Sequence, residues 1–218
     1  MCSRNPASSF RQIAICALAC LVGGCVYYPL TISPEPLRRG EWSGGGYLTG
    51  TFKAREPWGV PAGVAFLRHG LGSGVDIGLN YGLVSPVSVD VRWAVLQKPV
   101  FLTTDVGLSY SGWSNGGFDM PPYENYRVLG VNPALLVGSR RFYAGAHVCI
   151  CRVIYYGYNH PRSYWDYSPG LMVGASFGRH LRLMPSLEVA RVEGHLLFTV
   201  GFGLERRFGP GFGDYPER

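Results

Sequence analysis

Residues that could carry out catalysis are few in this sequence, and they are poorly grouped. His195 follows Glu193 by two positions, the nearest approach to a general base with an orienting carboxylate. Two leucines follow His195, so no nucleophile shares its strand face, and a solvated turn explains the pair better. Cys149 and Cys151 are too few for a metal site and are expected to be reduced, space-filling thiols. The sequence therefore predicts no enzyme, no cofactor and no metal.

A second set of charged residues has a more regular spacing, because each member alternates with apolar neighbours. Asp90 and Arg92, for example, alternate with Val89, Val91 and Trp93. This period of two is typical of a strand with one apolar and one polar face. If the polar faces meet in a common interior, opposite charges must pair there, since single buried ions are costly. The predicted members of this ion-pair network are Asp76, Asp90, Arg92, Asp105, Arg182, Glu188 and Glu205, with Arg92 and Arg182 as cationic centres.

The elements that position these residues are predicted to be ten strands. The last one, over 195–208, is the clearest, with Leu196, Phe198 and Val200 on one face and Thr199, Gly201 and Glu205 on the other. The predicted ranges are 41–55, 60–68, 75–82, 87–96, 100–110, 126–137, 142–155, 170–177, 181–191 and 195–208.

The links between these strands alternate in length. Every second link is tight, whereas the two long ones, 111–125 and 156–168, fall at the same end of an up-and-down meander. Loops on a rigid scaffold commonly carry binding residues, and Tyr and Trp suit adaptable recognition. The candidate recognition residues in these loops are Trp113, Tyr123, Tyr158, Tyr164 and Trp165.

The composition limits what can cover the surface. Charged residues make up 16% of the 218, only two of them are lysines, and 31 residues are glycine. A soluble domain of this size carries more charge, so something other than water is expected to cover much of it. The net charge of +6 is spread out, without the basic run that marks nucleic-acid binding.

These strands, with short turns at one end and long loops at the other, resemble the small bacterial outer-membrane β-barrels of the OmpA/OmpX type over roughly 42–208. In that family the last strand ends on an aromatic residue, the place that Phe208 takes here. The resemblance implies an all-β, closed antiparallel transmembrane barrel of about ten strands, eight also being possible. It implies outer-membrane lipid and lipopolysaccharide as surroundings, and a structural role or a protein partner at the long extracellular loops.

Three alternative functions stay open at this stage. A narrow polar pore would use the charged interior as a conduit, and a soluble lipocalin-like barrel would place the apolar faces inside. A lipid-modifying outer-membrane enzyme is the third, although the His-x-Ser pair that marks the lipid A deacylases is absent at His195.

The N-terminus carries features of export. Residues 1–24 contain Arg4 and Arg11 ahead of a short apolar stretch over 13–22, typical of a signal peptide. The following Leu-Val-Gly-Gly-Cys resembles the bacterial lipobox, which implies a lipid on Cys25 and, since Val26 is not Asp, delivery to the outer membrane of a Gram-negative bacterium. Residues 25–41 are then predicted to be the lipid anchor and linker, 42–208 the barrel, and 209–218 a C-terminal tail.

Overall fold

The computed structural model describes residues 34–53, 59–82, 87–97, 99–114, 125–156, 161–178, 181–192 and 194–209. Within these ranges the chain forms ten strands and no helix that is long and apolar enough to cross a membrane. The strands are β1 Trp42–Lys53, β2 Gly59–Gly72, β3 Val75–Gly82, β4 Val87–Leu96, β5 Phe101–Ser114, β6 Asn125–Gly138, β7 Phe142–Tyr156, β8 Pro161–Ala175, β9 Leu181–Val192 and β10 His195–Phe208. The predicted signal peptide, Cys25 and residues 210–218 lie outside the described part.

The ten strands form one closed barrel. Each strand pairs antiparallel with its neighbours in sequence, and β1 pairs with β10 to complete the circle. This last ladder runs from Trp42 opposite Phe208 to Lys53 opposite Leu197. The predicted closed antiparallel up-and-down barrel of ten strands is therefore confirmed, and closure leaves the barrel without a free sheet edge along its wall.

Apolar side chains face outward around the barrel. On β4, Val89, Val91 and Trp93 are exposed, whereas Asp90 and Arg92 between them are buried. β10 repeats the pattern, with Phe198 exposed and Glu205 buried. The alternative of a lipocalin-like barrel with its apolar faces inside is therefore wrong. Successive side chains of a strand point to opposite faces, so each strand contributes apolar side chains to the outside of the barrel and polar ones to its interior.

One strand departs from the predicted division of faces. On β2, Val64 and Phe66 point inward together with Arg68, whereas Ala65 and Leu67 between them are exposed. The two apolar side chains pack with Tyr47 of β1 and Met184 of β9 in an interior cluster. The barrel interior thus contains apolar packing as well as charges.

The end of the barrel opposite the tight turns differs most from the prediction. β8 begins at Pro161, so most of the predicted loop 156–168 is strand, and Tyr164 and Trp165 lie in β8. Trp113 likewise lies in β5 rather than in a loop. Of the predicted loop residues, Tyr123 and Tyr158 lie outside the described ranges. The correction has a physical cause: 162–167 are exposed or half-buried on both faces, so no apolar alternation marks them as a strand.

Candidate functional site

The first group of interior charges lies on β2, β3 and β4. Arg92 and Asp76 face each other across the β3–β4 ladder, with 2.8 Å between Nη2 and Oδ2. Arg68 of β2 contacts the same aspartate, with Nη2 2.6 Å from Oδ1. Its other terminal nitrogen, Nη1, lies 2.6 Å from Oδ1 of Asp90. The second oxygen of Asp90, Oδ2, accepts a hydrogen bond from the Asn80 side chain. Two arginines and two aspartates thus form one compact, buried network.

A glycine makes room for the one contact described above that crosses a whole strand, between Arg68 and Asp90. Arg68 and Asp90 lie on β2 and β4, and Gly78 of β3 lies between them in register. A β-carbon on residue 78 would lie 2.6 Å from both Arg68 Nη1 and Asp90 Oδ2. The absence of a side chain on the middle strand therefore lets two charges meet across it.

A related contact crosses β8 on the other side of the barrel. His147 of β7 and Glu188 of β9 lie 2.5 Å apart, between Nε2 and Oε1. Gly170 of β8 pairs with His147 on one side and with Ala190 on the other, two residues from Glu188, and a β-carbon on Gly170 would overlap the His147 ring. Glu188 was a predicted member of the network, and the structure pairs it with a histidine rather than with an arginine.

Asp105 of β5 completes the row that begins at Asp76. It lies directly opposite Arg92 in the β4–β5 register and is buried. Within the described part of the chain, neither carboxylate oxygen of Asp105 has a hydrogen-bond partner. The structure thus brings Asp76, Arg92 and Asp105 into one cross-strand row, but the direct ion pair is between the first two.

A second charged group occupies the turn end, which is the end of the barrel at the tight turns between β2 and β3 and between β6 and β7. Arg182 of β9 lies 2.6 Å from Glu35, between Nη2 and Oε2. Arg140, in the β6–β7 turn, places Nε 2.9 Å from the other carboxylate oxygen of Glu35. Arg207 of β10 lies 3.5 Å from Glu35 and 3.4 Å from Glu205. Three arginines therefore converge on one glutamate that precedes the first strand.

The segment that carries Glu35 lies inside the barrel. Thr103 of β5 donates a hydrogen bond to the Pro34 carbonyl, and the Leu37 N–H donates to Asp76. Both Pro34 and Leu37 are buried. Gly40 and Glu41 then exchange backbone hydrogen bonds with Gly70 at the end of β2. The prediction that 25–41 is only an anchor and linker is therefore wrong for 34–41, which we call the inner segment.

Electrostatics at the inner segment favour an ionised carboxylate. Burial of Glu35 acts to raise the pKa of its carboxyl group, but Arg207 and Arg182 oppose it and outweigh it. The net result is a Glu35 pKa below its ordinary value. The carboxylate is thus held in its charged form by cations from two strands and a turn.

Several residues of these groups were not among the predicted network. Arg207 alternates with Glu205 on the polar face of β10, so its spacing could have indicated it. Arg68 was hidden because its neighbours on both faces of β2 are apolar. Glu35 had no signal at all, since a short segment without periodicity gains its position only from tertiary contacts.

The predicted thiols and recognition residues fall at the other end of the barrel. Cys149 and Cys151 are buried thiols on the inner face of β7, with 3.1 Å between their sulfur atoms. Tyr164 and Trp165 are exposed on β8, on the part of that strand whose described ladder is with β7 alone. Strands β5 to β8 thus extend beyond β9 and β10 as a protruding sheet.

Solvent barely reaches the charged residues on β2 to β5. Arg68, Asp76, Asp90, Arg92 and Asp105 each expose at most 1% of their surface. Side chains that line a water-filled channel would instead remain accessible from within. This part of the interior is therefore closely packed around its charged side chains.

Comparison with known proteins finds similar shapes only. The sequence matches no protein family and no curated protein. Among solved structures it is similar to the attachment invasion locus protein Ail of Yersinia pestis, with 11% identity, a TM-score of 0.37, and 78% of this chain and 99% of that one covered. It is also similar to an outer membrane channel of Pseudomonas putida F1, with 10% identity, a TM-score of 0.38, and 84% of this chain and 100% of that one covered. The N-terminal β-barrel domain of Pseudomonas aeruginosa OprF is 9% identical, with a TM-score of 0.35, and 79% of this chain and 100% of that one are covered.

Proposed function

We propose that this chain is an outer-membrane lipoprotein of a Gram-negative bacterium, whose closed barrel is a non-conducting scaffold that presents its protruding sheet for interaction. The observation that carries the proposal is the outer face. Large apolar side chains, among them Val91, Leu108, Val173 and Phe202, stand exposed on successive strands around the wall. Water would penalise such a surface, whereas the hydrocarbon core of a bilayer favours it.

Closure of the sheet supports a position within the bilayer. Backbone donors and acceptors in lipid must be paired internally, and a closed barrel pairs them all along its wall. Exposed aromatic side chains lie near the strand ends, with Tyr81 and Tyr110 toward the protruding sheet and Phe142 and Phe208 toward the turn end. Such rings are favoured at the two membrane interfaces. Outer-membrane lipid and lipopolysaccharide are the proposed surroundings.

The inner segment supports the proposed anchor. Pro34 lies nine positions after Cys25, which allows at most about 30 Å of extended chain between them. A lipid on Cys25 would therefore enter the membrane leaflet next to the turn end. That leaflet is the periplasmic one if, as in other outer-membrane barrels, the tight turns face the periplasm.

Presentation of the protruding sheet is the proposed role because the charged side chains of β2 to β5 are buried, which does not favour a water-filled channel. Trp165 and Tyr167 are exposed on β8 beyond the part of the strand that pairs with β9. Large aromatic side chains provide contact area at low entropic cost. A protein partner at this sheet is the proposed ligand, and no catalytic step is assigned to the chain.

Gel migration of the membrane fraction tests the barrel and the anchor together. A folded barrel is expected to migrate differently before and after boiling. The Cys25→Ala variant should keep that heat-modifiable band but lose incorporation of labelled fatty acid. A band that does not change on boiling would contradict the barrel in the membrane, and unchanged labelling of Cys25→Ala would contradict the anchor.

Trimming and recording experiments test the proposed role. Removal of residues 157–168, which include the exposed end of β8, should abolish partner binding to cells while the heat-modifiable band remains. Planar bilayers containing the wild-type protein should show no conductance. Regular channel openings that change in Arg92→Ala would instead support a narrow polar pore.

A further inference from the structure

The turn end contains a binding site whose ligand belongs to the same chain. Glu35 lies outside the ten strands, yet its carboxylate is the point where Arg140, Arg182 and Arg207 meet. The Glu35 backbone carbonyl also accepts hydrogen bonds from Arg207, at 3.3 Å, and from Arg92, at 3.5 Å. The barrel wall thus surrounds this one residue with guanidinium donors on several sides.

The charge balance depends on Glu35. Among the described residues, the three arginines face three carboxylates, which are Glu35, Glu205 and Glu41, with Arg207 Nη1 3.9 Å from the Glu41 side chain. Two of these carboxylates are close to the wall, since Glu205 lies on β10 and Glu41 immediately precedes β1. Removal of the Glu35 carboxylate leaves two buried arginines and the exposed Arg140 against two anions, which is an unfavourable arrangement unless another anion enters.

Among the described residues of the site, Arg140 is the arginine that is open to solution. Arg140 lies in the β6–β7 turn and its side chain is 59% exposed, whereas the side chains of Arg182 and Arg207 are 10% and 2% exposed. A small solute could approach past Arg140 from the turn end. The headgroup of a membrane lipid could reach Arg140 but not the two inner arginines.

We propose that Arg140, Arg182 and Arg207 form an anion-binding site at the turn end of the barrel, selective for a small solute with one carboxylate or phosphate group, and that Glu35 is its built-in ligand. Guanidinium groups bind carboxylate and phosphate oxygens through the same paired donors. A phosphate ion that enters the site takes the position of the Glu35 carboxylate and replaces its contacts with the arginines.

Chemical rescue in the full-length protein tests the site. The Glu35→Ala variant, folded in detergent micelles, is titrated with sodium phosphate, with sodium chloride at equal ionic strength as the control. Phosphate is expected to raise its urea midpoint in a saturable way and to bind about tenfold more tightly than to the wild type, the equivalent of one charge-assisted contact. The double variant Glu35→Ala/Arg182→Met should lose this response.

Further arms keep the test decisive. Glu35→Gln preserves the side-chain volume and removes the charge, so it should also respond to phosphate if Glu35→Ala does not fold. Micelles that contain phosphatidylglycerol should not reproduce the rescue, because the buried side chains of Arg182 and Arg207 are out of reach of a lipid headgroup. The site is refuted if phosphate acts no more strongly than chloride on the folded variants, or if the double variant responds equally. Rescue by the lipid alone would refute the solute as ligand.

Discussion

Arg68 on β2 reaches Asp90 on β4 across an intervening strand, with 2.6 Å between Nη1 and Oδ1. The contact passes over Gly78, and the His147–Glu188 contact passes close to Gly170, which is in register with His147. Glycine on the inner face of a narrow barrel therefore determines which polar side chains meet. Such contacts join strands that are not neighbours, and so connect the barrel across its strands as well as along its ladders.

The first prediction concerns that glycine. Gly78→Val should force Arg68 and Asp90 apart and lower the free energy of unfolding by about 1–3 kcal/mol, the usual cost of overpacking an interior. Gly63→Ala is the matched control, because a β-carbon there makes only an ordinary contact with Leu48 and should change stability by less than about 0.5 kcal/mol. Urea unfolding in phospholipid vesicles measures both, and equal effects would contradict the role of Gly78.

The second prediction concerns the arginine itself. Arg68→Met should destabilise the barrel by about 3–5 kcal/mol, because Asp76 and Asp90 would lose a buried countercharge. Arg141, an exposed residue in the β6–β7 turn, provides a control variant, Arg141→Met. The same urea titration applies. A loss of less than 1 kcal/mol, on the order of an exposed ion pair, would show that the network contributes little to stability.

The strands that carry this network show what the sequence could and could not predict. β3, β4 and β10 were predicted with the observed bounds, because lipid on one face and interior on the other enforce strict alternation. Asp76 and Arg92 were both predicted members of the network, and the register of β3 and β4 places them opposite each other. Arg68 did not follow, since apolar packing of Val64 and Phe66 inside the barrel removes the contrast between the faces of β2.

The protruding part of β8 could not be predicted for a different reason. Beyond the expected membrane region both faces of the strand meet water, so the residues need not alternate, and Pro161 at its start looks like loop sequence. The inner segment has no alternation either. Its place depends on arginines from distant strands, which a local pattern does not reveal.

The third prediction is a pH dependence at Glu35. Its pKa is lower in the folded protein than the ordinary value of 4.5, so the folded state binds fewer protons between the two values and is stabilised as the pH rises. This contribution is fully present above the unfolded pKa and is lost as the pH falls through the folded one. Arg140, Arg182 and Arg207 contact the Glu35 carboxylate, and Glu41 and Glu205 contact Arg207 behind it.

Unfolding of the wild type and of Glu35→Gln, measured in parallel between pH 7 and pH 3, isolates that contribution. The difference in unfolding free energy between them should be constant at neutral pH and should shrink below about pH 4.5, where the unfolded carboxyl group becomes protonated. Carboxyl groups that share no arginine with Glu35 titrate alike in both proteins and cancel in the comparison. A difference that grows on acidification would have the wrong sign and would contradict the arrangement.

The fourth prediction tests the lipid-facing belt. Val91 lies midway along β4, is 48% exposed, and has Ile77 and Val106 as exposed neighbours on adjacent strands. Val91→Arg should cost about 2–4 kcal/mol in phospholipid vesicles, whereas Leu96→Arg at the turn end of the same strand should cost about 0–1 kcal/mol. Equal, small costs at both positions would indicate that no bilayer surrounds β4.

The hydrogen bond from Arg207 to the Glu35 carbonyl joins residues 172 positions apart. Contacts between such distant parts of a chain form late, because the entropy of closing so long a loop must be overcome first. Synthesis and delivery of the final strand must therefore precede the settling of the first folded residues. A chain that ends before β10 has nothing to close against β1 and loses Arg207, one of the arginines that hold its own beginning. The contacts of the inner segment with Arg207 therefore form only after β10 has paired with β1.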